Sequence, residues 1–449
     1  MIVTPSRLSG STRVPGDKSV THRAVILAAV AEGTSEIVHP GTGRDNLSTL
    51  SAIAALGVEA THDDPEHFTV IGRGPGALRS PSEPIDCGNS GTTARLLAGL
   101  LAGAGVSATL TGDASLSRRP MRRITGPLTD LGYDVSVDPE GRLPMVINGN
   151  ARPEEPPAGS RAVLAIASAQ VKSCILLAGL FRERPIEVVE PAVSRDHTER
   201  LLRALGARCV STRHYLAPDR FAADPLAPSV KLVPGRPLRG REIEVPGDPS
   251  SAAFLAVAGV LVGDGVTVER VGTNPTRARF LDVLGRMGAQ VSYTGRTALS
   301  SGEPAADVET RSGVLQATEI GGFEVPLLID EIPILCVAGA ASAGRFVVRD
   351  ASELRVKESD RIERIAALLS ALGVDVETTP DGLAFEGRGA ADWDAFEFDC
   401  GDDHRIAMAA VVAALAARGP CALSNTDCID VSYPTFVETL SSLGAEVRA

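Results

Sequence analysis

Val14-Pro15-Gly16-Asp17-Lys18-Ser19 returns as Val245-Pro246-Gly247-Asp248-Pro249-Ser250, with one residue changed in six. Each copy runs a polar cluster into an Ala/Leu-rich stretch. Four more clusters do the same: Gly88-Asn89-Ser90-Gly91-Thr92, Ser168-Ala169-Gln170, Asp330-Glu331 and Asp402-Asp403-His404-Arg405. The six openings recur roughly every 70 to 85 residues, which marks a repeated supersecondary unit. Each predicts the start of a helix that stops at glycine. A helix start leaves backbone N–H groups unpaired and carries partial positive charge. Six such starts brought together predict a site for anions, phosphate above all.

A second mark lies between these helices: Leu56-Gly57-Val58, Leu131-Gly132-Tyr133, Leu205-Gly206-Ala207, Met287-Gly288-Ala289, Leu372-Gly373-Val374 and Leu443-Gly444-Ala445. Each follows an amphipathic stretch, and glycine just past a last helical turn is a C-cap signal. Strand-like runs come next, such as His67 to Ile71 before Gly72-Arg73-Gly74, and Leu383 to Glu386 before Gly387-Arg388-Gly389. Gly72 to Gly76 reads as a turn rather than a phosphate loop, because no helix follows it. The Ala/Leu helices, such as Ala24 to Val30 and Ile406 to Val412, are apolar all round and therefore buried.

Buried helices with sheets outside them define an α/β fold of two inverted, inside-out barrel domains. Each has three repeats with parallel helices within. Residues 1–14 and 246–449 form one domain and 15–245 the other. The Pro-Gly pairs near 14–17 and 245–248 serve as hinges. The paired hinges predict that the domains close on their ligands. Solution scattering that differs with and without both ligands is the expected result.

The 449 residues exceed one ordinary core, which agrees with two domains. A net charge of −12 argues against nucleic acid as a partner. It leaves room for small anionic substrates, since a local basic cleft focuses potential within an acidic protein. Seven cysteines without a C-x-x-C pair read as reduced, mostly buried thiols. Met1 to Arg7 has no apolar h-region, and no apolar run reaches the ~18 residues of a spanning helix. These features predict a cytoplasmic chain with no membrane association.

Several openings carry more charge than capping requires. Lys18 and Arg23 stand in the first turns of the first buried helix, beside Ser19. Lys supplies a point charge, Ser a hydroxyl and Arg a fork for phosphate or carboxylate. A buried helix rarely spends two cations in this way, because unpaired buried charge is expensive. Arg118-Arg119-Pro120-Met121-Arg122-Arg123 is a basic run in a loop, and Pro120 restricts Arg119, making it the best-aimed member. Ser168 is an expected cap, with Gln170 in the first turn. Arg195 could pair with Asp196 or Glu199 at the surface.

Lys357 and Arg361 stand at i, i+4, hence on one helix face, with Glu358 between them. This Lys/Glu pair at a helix start is a candidate acid–base unit. Arg405 adds a cation at the sixth opening. Asp330 opens the fifth with an acid. It is either a cap or, among so many cations, the base for a substrate hydroxyl. No H-E-x-x-H, Cys/His ligand set, Walker spacing or G-x-G-x-x-G is present, so neither a metal nor a nucleotide cofactor is implied.

Taken together these motifs resemble the EPSP synthase family, one of the enolpyruvyltransferases, over essentially the whole chain. The forms Gly16-Asp17-Lys18, Ser168-Ala169-Gln170-Val171-Lys172, Arg195-Asp196-His197-Thr198-Glu199 and Asn274-Pro275-Thr276-Arg277 look like its second class. The resemblance implies two inverted three-repeat α/β domains. It also implies a cofactor-free, monomeric enzyme joining shikimate 3-phosphate to phosphoenolpyruvate, with release of phosphate through a tetrahedral ketal. It assigns shikimate 3-phosphate to Lys18, Ser19, Arg23, Ser168, Ala169, Gln170, Arg195, Asp330 and Lys357. It assigns phosphoenolpyruvate to Lys18, Gly91, Arg119, Gln170, Arg361 and Arg405. Asp330 is the implied base for the 5-hydroxyl, and Glu358 and Lys18 are the implied acids.

Two departures stand out. Ala169 replaces the second serine of the commoner pattern, which removes one phosphate hydroxyl. Val431 stands where many members carry a lysine. The sister enzyme acting on UDP-N-acetylglucosamine usually has a reactive cysteine in the segment matching Gly112 to Arg123, and none is present here. A non-catalytic anion binder on the same fold would be expected to lose Lys18, Asp330 or Glu358, and all three are present.

Overall fold

The computed structural model describes residues 1–150, 153–155, 159–215, 226–389 and 393–448. In chain order the helices are α1 (Lys18–Ala29), α2 (Arg44–Ala55), α3 (Gly91–Ala104), α4 (Arg122–Asp130), α5 (Ala169–Gly179), α6 (His197–Ala204) and α7 (Pro249–Val262). Then come α8 (Arg279–Arg286), the short α9 (Val325–Leu328), α10 (Ile332–Ala340), α11 (Arg361–Ala371), α12 (His404–Leu415) and α13 (Phe436–Ser442). The Ala/Leu helices are α1, α3, α5, α7, α10 and α12. Side-chain caps fix five of their starts: Asp17, Ser90, Ser168, Asp248 and Asp403 each accept a bond from a first-turn N–H.

The chain divides into two units. Unit 1 comprises Met1–Pro15, Pro246–Ala298 and Pro304–Ala449; unit 2 comprises Gly16–Val245 and Leu299–Glu303. The apolar core of unit 2 is built on α1, α3 and α5, and that of unit 1 on α7, α10 and α12. Gly99 and Gly103, one turn apart on α3, let two inner helices touch. A Cβ on either would lie 2.0 to 2.5 Å from the carbonyl oxygen of Cys174 or Ala178 on α5.

Among the described residues the strands form six four-stranded sheets, three in each unit. Unit 2 holds β14 (Ile243–Glu244), β3 (Glu32–Val38), β5 (His67–Arg73), β4 (Glu59–Asp64); then β6 (Ile85–Asp86), β7 (Ala108–Thr111), β9 (Met145–Asn148), β8 (Asp134–Ser136); then β10 (Ser160–Val163), β11 (Ile186–Val189), β13 (Leu226–Val233), β12 (Arg208–Tyr215). Unit 1 holds β2 (Leu8–Arg13), β15 (Gly263–Gly272), β17 (Pro304–Arg311), β16 (Gln290–Ala298); then β18 (Glu319–Ile320), β19 (Ala343–Val348), β21 (Gly382–Arg388), β20 (Val376–Thr379); then β22 (Glu397–Asp399), β23 (Cys421–Ser424), β1 (Ile2–Thr4), β24 (Glu446–Arg448). In every sheet, in the order given, the first pair is parallel and the other two pairs are antiparallel.

One repeat is therefore β-α-β-α-β-β, as in β6-α3-β7-α4-β8-β9. The chain breaks this order where the echoed Val-Pro-Gly-Asp segments lie. Strand β2 precedes α1 yet pairs with β15. Strand β14 precedes α7 yet pairs with β3. Each unit thus takes its lead strand from the segment before the other unit's helix. The amino-terminal β1 fills the hairpin position of the last sheet, between β23 and β24.

The second sequence mark is a set of six Schellman caps. Gly57, Gly132, Gly206, Gly288, Gly373 and Gly444 all have positive φ, between 74° and 108°. After α2, for example, Gly57 N–H bonds Ala54 and Val58 N–H bonds Ile53, and the other five helices close the same way. The inner helices differ from expectation. Only α3 ends in a left-handed glycine cap, Gly105, and α7 runs into an extended Gly263. The other four stop at Val30, Leu180, Ala341 and Ala416. In α1, α5 and α12, i→i+3 bonds such as Val30 to Leu27 take up a last carbonyl, so no left-handed residue is needed there. The echoed glycines Gly72 and Gly387 have another use: a Cβ there would lie 2.2 Å from the carbonyl oxygens of Ala28 and Ser342 at inner-helix ends.

Candidate active site

In unit 2 the start of α1 is built around charge. Lys18 Nζ lies 2.6 Å from Asp45 Oδ2, a buried carboxylate in the first turn of α2. Arg23 is buried one turn further on. Its guanidinium donates to Ser19 O at 2.9 Å, Ser173 Oγ at 3.0 Å and Thr198 Oγ1 at 2.8 Å. This single side chain ties α1 to α5 and α6. Burial pulls its pKa down to about 10; Glu199 opposes the shift and the neighbouring Arg195 adds to it. Arg195 thus lies near enough to act on the charge of buried Arg23, and Asp17 and Glu303 join Glu199 in offsetting it.

Asp196 and Glu199 each hold a cation of unit 2. Asp196 receives Arg200 Nε on both oxygens at 2.9 Å, and Glu199 pairs with Lys172. Lys172 is buried between Glu190 at 2.8 Å and Glu199 at 2.9 Å. Burial works against its charge, but the two carboxylates outweigh burial and raise its pKa.

A second cluster of unit 2 gathers at the starts of α3 and α5. Ser168 caps α5, with Ala169 as the first helical residue. Gln170 Oε1 accepts from Arg95 NH1 at 2.8 Å, and its Nε2 donates to Thr92 Oγ1 at 3.1 Å. These bonds orient the amide and leave one N–H to offer a ligand. Gly91 opens α3, and a Cβ there would stand 2.9 Å from Arg95 NH1. Arg119 is extended, as Pro120 requires, and donates to Asn89 Oδ1 at 2.5 Å and Ser115 Oγ at 3.3 Å. The basic run is not all loop, since Arg122 and Arg123 open α4.

The site residues of unit 1 meet around Asp330. Its Oδ1 lies 3.4 Å from Arg361 NH1, 3.8 Å from Arg405 Nε and 3.9 Å from Lys357 Nζ. Arg405 NH1 also donates to the Asp330 carbonyl at 3.2 Å. Asp330 is no cap: the N-cap position of α10 is Glu331, which makes no capping bond. Glu358 Oε2 accepts from Arg361 NH2 at 2.6 Å. Lys357 and Arg361 do not share a helix face. Lys357 and Glu358 lie in the connection before α11, whose cap is Asp360 and first residue Arg361. The loop, rather than helical spacing, brings the two cations to one carboxylate.

Asp403, fully buried at the α12 cap, holds this cluster. It accepts from Arg361 at 2.9 and 3.3 Å, from Ser359 Oγ at 2.9 Å and from Arg405 N–H at 3.0 Å. Burial favours its neutral form, yet Arg361 outweighs this and holds its pKa below the usual carboxylate range. Arg361 is raised in turn: burial opposes its charge, and Asp403, Glu358 and Asp330 more than compensate. Lys357 is lowered, chiefly by burial, with Asp330 opposing. An ammonium so placed gives up its proton more readily.

The sequence reading assigns nothing to Asp45, Arg95, Asp403 or Glu190. Arg95 had a visible signal, an arginine inside the apolar run Ala94-Arg95-Leu96-Leu97. The seven cysteines are free, and burial pushes Cys87, Cys174 and Cys209 up to about 12. Among the described residues, no group of three His, Cys, Asp or Glu could hold a metal, and no helix is long and apolar enough to cross a membrane.

Repeated β-α-β-α-β-β units with cation-lined inner-helix starts define an enolpyruvyltransferase fold. The solved enolpyruvyl transferase NikO from Streptomyces tendae superposes over 100% of this chain and 98% of its own, with a TM-score of 0.76 at 21% identity. EPSP synthase from Acinetobacter baumannii matches with a TM-score of 0.84 at 37% identity, over 100% of this chain and 99% of its own. The family model EPSP synthase (3-phosphoshikimate 1-carboxyvinyltransferase) matches residues 2–440. The 3-phosphoshikimate 1-carboxyvinyltransferase of Desulforudis audaxviator is 45% identical over 99% of both chains. That of Limosilactobacillus fermentum is 44% identical over 97% of both. This chain belongs to the EPSP synthase family.

Proposed function

We propose that this chain transfers the enolpyruvyl group of phosphoenolpyruvate to the 5-hydroxyl of shikimate 3-phosphate, releasing phosphate. One observation carries the reading at the level of chemistry: the Asp330 carboxylate stands within 3.4 to 3.9 Å of three cations. Such a carboxylate can take a hydroxyl proton while the cations hold anionic oxygens. The 5-hydroxyl oxygen bonds to C2 of phosphoenolpyruvate as Asp330 takes its proton and C3 gains one. The tetrahedral ketal then returns a proton from C3 to the group that delivered it and loses its C2–O bond to phosphate, which leaves. Glu358 and Lys18 share the proton deliveries to C3 and to the departing phosphate.

Lys18, Ser19, Arg23, Ser168, Gln170, Arg195 and Lys357 bind shikimate 3-phosphate in this reading, with Ala169 and Asp330 beside it. Lys18, Gly91, Arg119, Gln170, Arg361 and Arg405 bind phosphoenolpyruvate. Buried Arg23, with Arg195 near it, supports a phosphate there. The fixed Gln170 amide supports a ligand that accepts hydrogen bonds. The reading carries with it a cytoplasmic monomer that needs no metal or organic cofactor, and the seven free thiols are in keeping with that compartment.

The test is phosphate release by purified protein, with each substrate alone, with both, and with both plus a chelator. Release that needs both substrates and ignores the chelator is the expected result. No release with shikimate 3-phosphate, but release with UDP-N-acetylglucosamine, would transfer the assignment to the sister reaction. No release with either acceptor would leave a binding protein.

A further inference from the structure

Residues Leu299–Glu303, at the tip of the β16-β17 hairpin, are counted with unit 2 rather than with their own strands. The tip is a tight turn, with Gly302 N–H on Leu299 O and Leu299 N–H on Glu303 O. Glu303 is 1% exposed, and its Oε1 lies 2.9 Å from His197 Nδ1, itself buried as the first residue of α6. Arg200 of α6 donates to Gly302 O at 3.0 Å and lies 3.8 Å from Glu303 Oε2. The same Arg200 holds both oxygens of Asp196. One hairpin tip therefore grips the turn Arg195-Asp196-His197 on two sides, directly at His197 and through Arg200 at Asp196. Thr198, the residue after His197, accepts from Nε of buried Arg23 at 2.8 Å.

We infer that Glu303 is a positioning residue for the shikimate 3-phosphate site. Through His197 and Arg200 it fixes the turn that carries Arg195 and Thr198, the acceptor of Arg23. The inference rests on the functional reading above, because it needs those two arginines to meet the substrate phosphate. Glu303 itself touches neither substrate.

The test measures KM for each substrate separately, with thermal melting as a control on folding. Glu303→Gln keeps the size and one acceptor but removes the charge. It is expected to raise KM for shikimate 3-phosphate about tenfold, as losing one charge-assisted bond would. Its kcat and KM for phosphoenolpyruvate should stay within about twofold. Glu303→Asp should recover part of the loss. His197→Asn retains a donor near Nδ1 and should act mildly, whereas His197→Leu should match Glu303→Gln. A folded Glu303→Gln with parental KM for shikimate 3-phosphate overturns the inference, as does an equal loss for both substrates. Should Glu303→Gln not fold, a folded His197→Leu with parental KM overturns it equally. A parent enzyme without turnover overturns the functional reading and this inference together. Normal parental turnover with unaffected variants overturns this inference alone.

Discussion

Asp330→Asn is expected to lower kcat by about two to four orders of magnitude, the usual contribution of a positioned general base. The substitution keeps the shape of the side chain and removes one negative charge from among Lys357, Arg361 and Arg405. Those cations then face anionic substrates with less competition, so both KM values should hold or fall. That combination separates a base from a structural carboxylate, whose loss would raise KM or lower the melting temperature. Steady-state kinetics and thermal melting decide it. A kcat within tenfold of the parent, with intact folding, would remove Asp330 from the role of base.

Arg361→Met should cost about 3–5 kcal/mol of stability at neutral pH, the range for breaking a buried ion pair by removing one partner. The cost arises because Asp403 is fully buried and owes its ionised form to Arg361. In the parent, the Asp403 pKa is depressed on folding. Its contribution is therefore full above the unfolded value of about 3.9 and is lost as pH falls through the lower folded value. In the variant, Asp403 has lost the charge that depressed it and can protonate at higher pH. The stability gap between parent and variant should accordingly narrow as pH falls from 7 toward 4. Urea unfolding at several pH values measures it, and a gap that widens in acid contradicts the account. Activity should fall too, with KM for phosphoenolpyruvate rising, since Arg361 reaches both Asp330 and Glu358.

Local signals in this chain were readable because they act over a single turn. The six glycines after the outer helices all adopt the left-handed cap that their spacing predicts. The polar openings place the inner helices because a cap bonds an N–H two or three residues away. The expected shared face of Lys357 and Arg361 failed for an equally local reason. Asp360 accepts from Glu363 N–H and starts α11 one residue before Arg361. The pattern Asp360-Arg361-Ile362-Glu363 resembles a capping box and was a usable signal.

The sequence by itself determined the repeated unit, the buried helices, their starts and which cations stand at them. The repeated unit follows from recurrence roughly every 70 to 85 residues, and the rest from composition and spacing within about ten residues, where backbone geometry leaves few options. Only the tertiary structure decided the exchange of β2 and β14, the placing of β1 in the last sheet and the partners of the site. Asp45 for Lys18, Arg95 for Gln170, Asp403 for Arg361 and Glu303 for His197 are separated in sequence by 27, 75, 42 and 106 residues. A buried charge needs a counter-charge, but any of 56 acidic residues satisfies that need on paper. Which one does so depends on strands and helices meeting across the fold, and no periodicity in the chain encodes that.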